Sequence, residues 1–138
     1  MNIISIVSRY LLILASVLAL AACASTPPEK LTLKQKLEQR HYTVGESVER
    51  IRNYRLNGWN SIDEKHLIIH TGPSDSYLIT LRNPCHNLRS AENIAISSTT
   101  GSVTRMDKVM VRDRPSGYVE HCMIDSMHEL NKLPETAS

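Results

Sequence analysis

The chain is poor in aromatic side chains. Its 138 residues include no phenylalanine and a single tryptophan, Trp59, and aromatic residues make up 4% of the composition. A core without large rings has to be filled by isoleucine, leucine, valine and methionine, the other side chains that favour burial. The sequence therefore predicts an aliphatic core, in which Trp59 is a packed residue and not a binding anchor.

A strong charge of either sign is also missing. Lysine and arginine number 16 against 14 acidic residues, which leaves a formal charge of +2. A clear basic surplus is typical of nucleic-acid-binding domains and of proteins held on anionic lipid by electrostatics. We therefore expect no nucleic-acid partner, and any membrane attachment has to come from another source.

Sequence motifs of the common enzyme classes are absent. The chain has no nucleophile elbow, P-loop or dinucleotide-binding glycine motif, and His128-Glu129 lacks the second histidine of the zinc-protease motif. We therefore predict no enzyme, no catalytic residue and no cofactor. A hydrolase whose residues meet only in the fold is the enzymatic alternative.

The N-terminus carries a short apolar run. Arg9 is the only charged side chain before Cys23, and residues 10–20 are apolar. This run is shorter than the ~20 residues of a membrane-spanning helix, but it fits the central region of an export signal. Residues 1–22 are therefore predicted to be a signal peptide.

The end of this run, Leu20-Ala21-Ala22-Cys23, resembles the lipobox of bacterial lipoproteins. In that class a peptidase cuts before the cysteine, which then carries the lipid. The resemblance implies lipid on Cys23, a tether over residues 23–30, and a mature chain of 116 of the 138 residues. The alternatives are an ordinary secretory signal and an uncleaved anchor.

The two residues after Cys23 bear on its membrane. By the same resemblance, Ala24 and Ser25 lack the aspartate that commonly retains lipoproteins at the inner membrane. Several acyl chains give stable attachment where one is marginal. We therefore expect the protein at the outer membrane, facing the periplasm.

Two cysteines, Cys85 and Cys122, remain once Cys23 is lipidated. In an oxidising compartment such a pair favours a disulfide, and chain entropy gives it about 3–4 kcal/mol. The doublets Cys85-His86 and His121-Cys122 also contain a zinc ligand set, but sequential neighbours on a strand point to opposite faces. We predict the disulfide and no metal site.

Two further groups of polar residues are candidates for binding. His66 and His70 lie on one strand face, roughly 13 Å apart, too far for one metal ion. The loop 112–117 contains Arg112 and Arg114, which together could bind a phosphate or carboxylate. A half-exposed sheet face and a solvated loop are the alternative interpretations.

The spacing of apolar residues and turns predicts a small α+β domain. Runs at 66–71 and 77–81 flank the turn residues 72–75, which indicates a β-hairpin. Short helices are expected at both ends, one capped by Thr32 and one with Ser126 and Glu129 as a capping box. In all we predict five to six mainly antiparallel strands in a barrel-like sheet over residues 31–133, with a flexible tail at 134–138.

The order of features between about residues 52 and 130 resembles a family of small proteobacterial lipoproteins known only as a domain of unknown function. The resemblance rests on Gly58-Trp59, Ile62-Asp63, Tyr77-Leu78, Leu81, Cys85, Leu88, Ile94, Ile96, Ser98-Thr99, Gly101, Asp107, Val109, Val111, Cys122 and Ile124. It implies a periplasmic lipoprotein with a cysteine pair, and it implies no reaction or ligand.

Together these features predict a lipid-anchored envelope protein with an accessory or protein-binding role. The alternative is a periplasmic protein that binds a metal or small ligand through histidines and cysteines. A partner in the envelope is expected, while the sequence does not define the oligomeric state.

Overall fold

The structure is a computed structural model that describes residues 30–52, 55–114 and 116–134. Leu31 begins one compact unit. The predicted signal peptide, Cys23 and the tail from residue 135 lie outside the described residues. Of the helices in the described part of the chain, none has the length and apolar character needed to cross a membrane.

Helix α1 spans Leu33–Glu38 and follows from a local signal. The Thr32 hydroxyl accepts a hydrogen bond from the Gln35 N–H, and the Gln35 side chain accepts one from the Thr32 N–H, which completes a capping box. The predicted N-terminal helix is therefore confirmed. Its one buried residue is Leu37.

The strands come next and make up most of the domain. They are β1 (Tyr42–Ser47), β2 (Arg50–Ile51), β3 (Leu56–Ser61), β4 (His66–Thr71), β5 (Asp75–Leu81), β6 (Ile94–Ile96), β7 (Val103–Thr104), β8 (Lys108–Arg112) and β9 (Val119–Lys132). The predicted hairpin is confirmed as β4 and β5, whose pairing runs from His66 opposite Thr80 to Thr71 opposite Asp75.

Six strands follow one another in the order β3-β4-β5-β9-β8-β6, and the pairs are antiparallel. A flat sheet of six strands would be about 24 Å wide. All six nevertheless contribute to one apolar cluster, which holds Trp59, Leu67, Ile79, Met127, Val109 and Ile94. The sheet is therefore curled into an open half-barrel around this inner cluster.

Strand β9 joins the two ends of the half-barrel. Its first part pairs with β8, and its middle and last parts pair with β5 and β1. The register against β5 shifts between Ile124 and Ser126, so the strand is bulged at this point. Short strands β2 and β7 pair with each other and add Ile51 and Val103 to the inner cluster.

The fold is mainly β, which corrects the helical part of the α+β prediction. The half-barrel has six strands, within the five to six predicted for the sheet, and the described residues form three further strands and one short helix. The predicted closing helix at Ser126–Glu129 is the end of β9 instead. Met127 packs in the inner cluster, and Leu130 packs on the opposite face of the sheet. The three-residue spacing of these two apolar side chains therefore comes from a strand that is buried on both faces, and not from a helix.

The face of the sheet opposite the inner cluster, here called the outer face, has two unlike halves. Over β4, β5 and the end of β9 it is covered by helix α1. This covered half comprises Leu37, Ile62, Ile68, Leu78 and Leu130, with Leu33 and Tyr42 packed against them.

The open half of the outer face lies over β6, β8 and the start of β9. Strand alternation places its side chains opposite the buried Val109, Val111 and Cys122. They are Ala95, Lys108, Met110, Arg112, Val119, His121 and Met123, and all are half-buried or exposed. None belongs to either apolar cluster.

Candidate functional site

The polar residues of the covered half hold helix α1 in place. Asp63 lies in the β3–β4 turn, where its Oδ1 accepts hydrogen bonds from the backbone N–H groups of Lys65 and His66 and from His66 Nδ1. Its Oδ2 accepts a 2.9 Å bond from Lys36 Nζ on the helix. Asp63 therefore links the helix to the sheet.

The pKa of Asp63 records these contacts. Burial alone would raise this pKa, but the hydrogen bonds from Lys36, Lys65 and His66 outweigh burial and lower it from 3.8 to about 2. The carboxylate is therefore charged across the physiological range, and His66 is one of its partners and not a metal ligand in this arrangement.

His70 and Ser76 lie together on the covered half, and they are the strongest candidates for a dispersed catalytic set. The Asn60 amide donates to His70 Nε2 (3.0 Å), which leaves His70 Nδ1 to donate to Ser76 Oγ at 2.9 Å. Ser76 is 7% exposed. Its hydroxyl accepts a hydrogen bond from His70, which is the reverse of the direction in which a histidine base activates a serine, so the pair is not arranged for nucleophilic catalysis.

The predicted disulfide between Cys85 and Cys122 is present, with Cα atoms 5.9 Å apart. Both cysteines are buried in the inner cluster. The Glu120 carboxylate lies beside them and accepts hydrogen bonds from the N–H groups of His86 and Asn87. Cys85, Glu120 and Cys122 form a cluster of potential metal ligands. However, the two sulfurs are bonded to each other, and the Glu120 carboxylate accepts hydrogen bonds from the backbone.

The open half contains a groove that lies over β6 and the end of β8. Its volume is about 560 Å³. Ala95, Met110 and Val119 form its apolar floor, and the rim is polar, with Ser90, Glu92, Asn93, Arg112, Asp113 and Arg114. We call this feature the β6–β8 groove.

The floor of the groove follows from the pairing of the strands. Ala95 pairs with Met110, which pairs in turn with His121, so these three side chains form one row across the outer face. Ala95 ends in a single methyl group. It leaves a depression between the edge of the sheet and the flexible Met110 side chain, and methionine adapts readily to different apolar surfaces.

The predicted loop after Arg112 turns back tightly to β9. Asp113 N–H donates to the Tyr118 carbonyl at 2.8 Å, and the Asp113 carboxylate accepts a hydrogen bond from Ser116. Gly117 has a φ of +73°, a conformation that glycine adopts without strain. The Asp113 charge is therefore partly satisfied inside the loop.

The two arginines of the loop differ in their contacts. Arg114 Nη1 lies 2.8 Å from Glu92 Oε2 across the groove, with both side chains more than half exposed. An ion pair this exposed contributes about 0–1 kcal/mol and is easily exchanged. Arg112, on the floor side, has no hydrogen-bond or ion-pair partner among the residues that the structure describes.

The structure therefore brings together only part of the predicted candidates. Arg112 and Arg114 share the groove, Cys85 and Cys122 share a disulfide, and Trp59 packs against the inner cluster as predicted. His66 and His70 have separate partners on the covered half. Sequence reasoning missed Ala95 and Met110, because only the long-range pairing of β6 with β8 brings them to the arginines.

Comparison with known proteins gives one match. The sequence pattern of a family described as a family of unknown function (DUF6491) matches residues 6–134. The match includes part of the apolar N-terminal run, both cysteines of the disulfide and every described strand. No curated protein matches the chain, and no solved structure does.

Proposed function

The chain belongs to the DUF6491 family of unknown function, and from that premise we propose that it is a lipid-anchored accessory protein of the bacterial envelope that binds a protein partner without catalysing a reaction. Cys23 carries the lipid, and the domain faces the periplasm from the outer membrane. The anchor keeps a nearly neutral domain at the membrane, where electrostatics alone would be too weak.

The observation that carries the binding role is the apolar character of the open half of the outer face. Antiparallel sheets commonly leave one face to solvent, and the side chains on such a face are usually polar. Met110, Val119 and Met123 are instead left half-exposed beside Arg112, and methionine and arginine are enriched where proteins bind one another.

The proposed compartment is supported by the cysteines. Cys85 and Cys122 are joined in the structure, and disulfides persist in exported proteins and are rare in the cytosol. With both sulfurs used in this way, the alternative of a metal-binding protein loses its thiolate ligands. The non-enzymatic role is supported by the hydrogen bond between His70 and Ser76, in which the serine hydroxyl is the acceptor and is not activated as a nucleophile.

Anchoring is tested with Cys23→Ser. We expect the native chain to incorporate radiolabelled fatty acid and to sediment with outer membranes, and we expect the variant to do neither. Equal membrane recovery of the variant, without label in either protein, would show that Cys23 is not the anchor.

Binding is tested by crosslinking in intact cells. A photoreactive residue placed at His121, on the open half, is expected to give one discrete adduct with an envelope protein, identified by mass spectrometry. The matched control is the exposed Glu38 on helix α1, which is expected to give none. Adducts absent from both positions and from a scan of the remaining surface would refute a protein-binding role.

A further inference from the structure

The free edge of the sheet at β6 is the first feature to consider. Strand β6 pairs with β8 on one side, and no described strand pairs with it on the other. Ser97 N–H donates to the Lys108 carbonyl. Because backbone groups alternate along a strand, those of Ile94 and Ile96 point to the free edge and can accept another strand there.

The opposite edge of the half-barrel, at β3, is less suited to a partner. Its pairing with β4 is irregular between Leu56 and Gly58, and such bulges are a common protection of edge strands. Its outer face presents Gly58 and Asn60, and the Asn60 amide is already bonded to His70. Of the two ends of the half-barrel, β6 is the one that combines free backbone groups with an apolar floor.

The floor of the β6–β8 groove fits one apolar side chain. A strand added beside β6 would place a side chain next to Ala95, at the usual strand separation of about 4.8 Å. The methyl group of Ala95 leaves room for that side chain to reach Met110 and Val119. An edge strand thus supplies backbone hydrogen bonds, and the depression supplies selectivity.

The charges around the floor determine which residues of the partner fit on either side of its apolar side chain. Lys108 and Arg112 lie two residues on either side of Met110, on the same face of β8. The seven side chains of the open half include two cations and no carboxylate. An extended segment that matches this surface has acidic, apolar and acidic residues at alternate positions.

The ion pair at the rim can be exchanged for a contact with the partner. Arg114 is bound to Glu92 in an exposed pair that costs little to break, so a partner carboxylate can replace Glu92. Arginine binds carboxylates with two parallel hydrogen bonds, which fixes the orientation of the incoming group. A concave floor below two arginines suits an inserted chain better than a flat bilayer.

We infer that the β6–β8 groove binds an extended segment of a protein partner, which adds to the edge of β6 and carries carboxylates on both sides of an apolar residue. The inference rests on the proposed function, since it names the surface and the chemistry of that partner. It assigns binding to Ala95, Lys108, Met110, Arg112 and Arg114.

The test uses the mature lipidated chain in detergent and a short fluorescent peptide in which glutamate, leucine and glutamate occupy alternate positions, separated by threonine. We expect saturable binding that weakens as salt rises. Lysine in place of glutamate in the peptide, or N-methylation of its alternate backbone nitrogens, is expected to weaken binding about 10-fold or more.

Variants of the protein locate the site. Arg112→Glu together with Arg114→Glu, and separately Ala95→Trp, are expected to weaken binding about 10-fold. The matched control is Arg105→Glu in the turn between β7 and β8, which is expected to change affinity less than about 2-fold. Circular dichroism before and after heating verifies that each variant is folded.

Several outcomes would overturn the inference. They are an absence of binding up to about 1 mM peptide, equal binding of the N-methylated peptide, and equal loss in Arg105→Glu. A membrane occupant is tested with an environment-sensitive dye at His121→Cys in vesicles of phosphatidylethanolamine and phosphatidylglycerol, where a blue shift without peptide would also overturn it. Lipidation of Cys23 and crosslinking through another face would leave the proposed function intact.

Discussion

The two halves of the outer face are built on one continuous sheet, yet they differ in what lies above them. On the covered half, helix α1 buries Ile68 and Leu78 to within 2% exposure, and Asp63 binds the helix to the sheet. On the open half, Met110 and Met123 occupy equivalent strand positions and stay partly exposed. Helix α1 covers one half, and no described helix or strand covers the other.

The difference shows how the two halves are stabilised. No helix of the described residues lies over the open half, and behind it the inner face is held by the disulfide from Cys85 to Cys122 on β9. A covalent link in the inner cluster stabilises this end of the sheet without covering its outer surface. The fold can therefore keep a sheet face exposed and still be stable.

Removal of the disulfide, which lies behind the open half, is expected to cause the largest loss in the free energy of unfolding. Cys85→Ala with Cys122→Ala opens a loop of 37 residues, for which chain entropy predicts a loss of about 3–4 kcal/mol in the free energy of unfolding. Urea denaturation of the oxidised protein and the double variant measures it. A loss below about 1 kcal/mol would show that the link does not stabilise the open half.

A matched pair of truncations compares the halves directly. Ile68→Ala on the covered half is expected to lower the free energy of unfolding by about 3 kcal/mol, because it leaves a cavity beneath helix α1. Met110→Ala on the open half should cost less than about 1 kcal/mol, since its side chain is only half-buried. Equal losses from chemical denaturation would mean that the open half is covered as well.

The bond between helix and sheet is tested by Asp63→Asn. The pKa of Asp63 is lowered from 3.8 to about 2 in the folded state, so its contribution is present above pH 3.8 and is lost as the pH falls towards 2. After allowance for solvent screening we expect the variant to lose about 1 kcal/mol at neutral pH. Lys36→Met, which keeps the packing of the side-chain stem, is the control for the helix contact alone.

Stability curves measured between about pH 7 and pH 2 verify this prediction. The difference between native protein and Asp63→Asn should shrink as the pH falls below 3.8. Parallel curves would show that the charge of Asp63 does not hold the helix.

The smallest expected effect concerns His70 on the covered half. Burial, with the nearby charge of Lys132, lowers the pKa of His70 below 6.5. The neutral ring is therefore favoured in the folded state, so its contribution is present above pH 6.5 and is lost as the pH falls through the lowered pKa. His70→Gln should remove this part of the acid dependence, measured as the change in melting temperature between about pH 7.5 and pH 5.

Local signals in the sequence were sufficient for the hairpin and the first helix. Residues 72–75 combine glycine, proline, serine and aspartate between two apolar runs, and Thr32 with Gln35 forms a capping box. These features act over a few residues and do not depend on the rest of the fold.

The errors arose where distant contacts decide the structure. Ser126 and Glu129 match a capping box, but β5 and β1 pair with this segment and hold it as a strand. Strands β1 and β2 likewise depend on distant partners, since they pair with β9 and β7. A Cβ at Gly45 would lie 3.1 Å from the Glu129 carbonyl oxygen, a close approach that no local pattern reports.

Strand β9 also determines how late in folding the sheet can be completed. It is the last strand in chain order, and without it β5 and β8 have no common neighbour and Cys85 has no disulfide partner. Folding that waits for such distant pairing is slow. Under the export that we propose for this chain, late completion of the sheet would keep the earlier strands unfolded while they cross the inner membrane, and it would delay folding until β9 has reached the oxidising side.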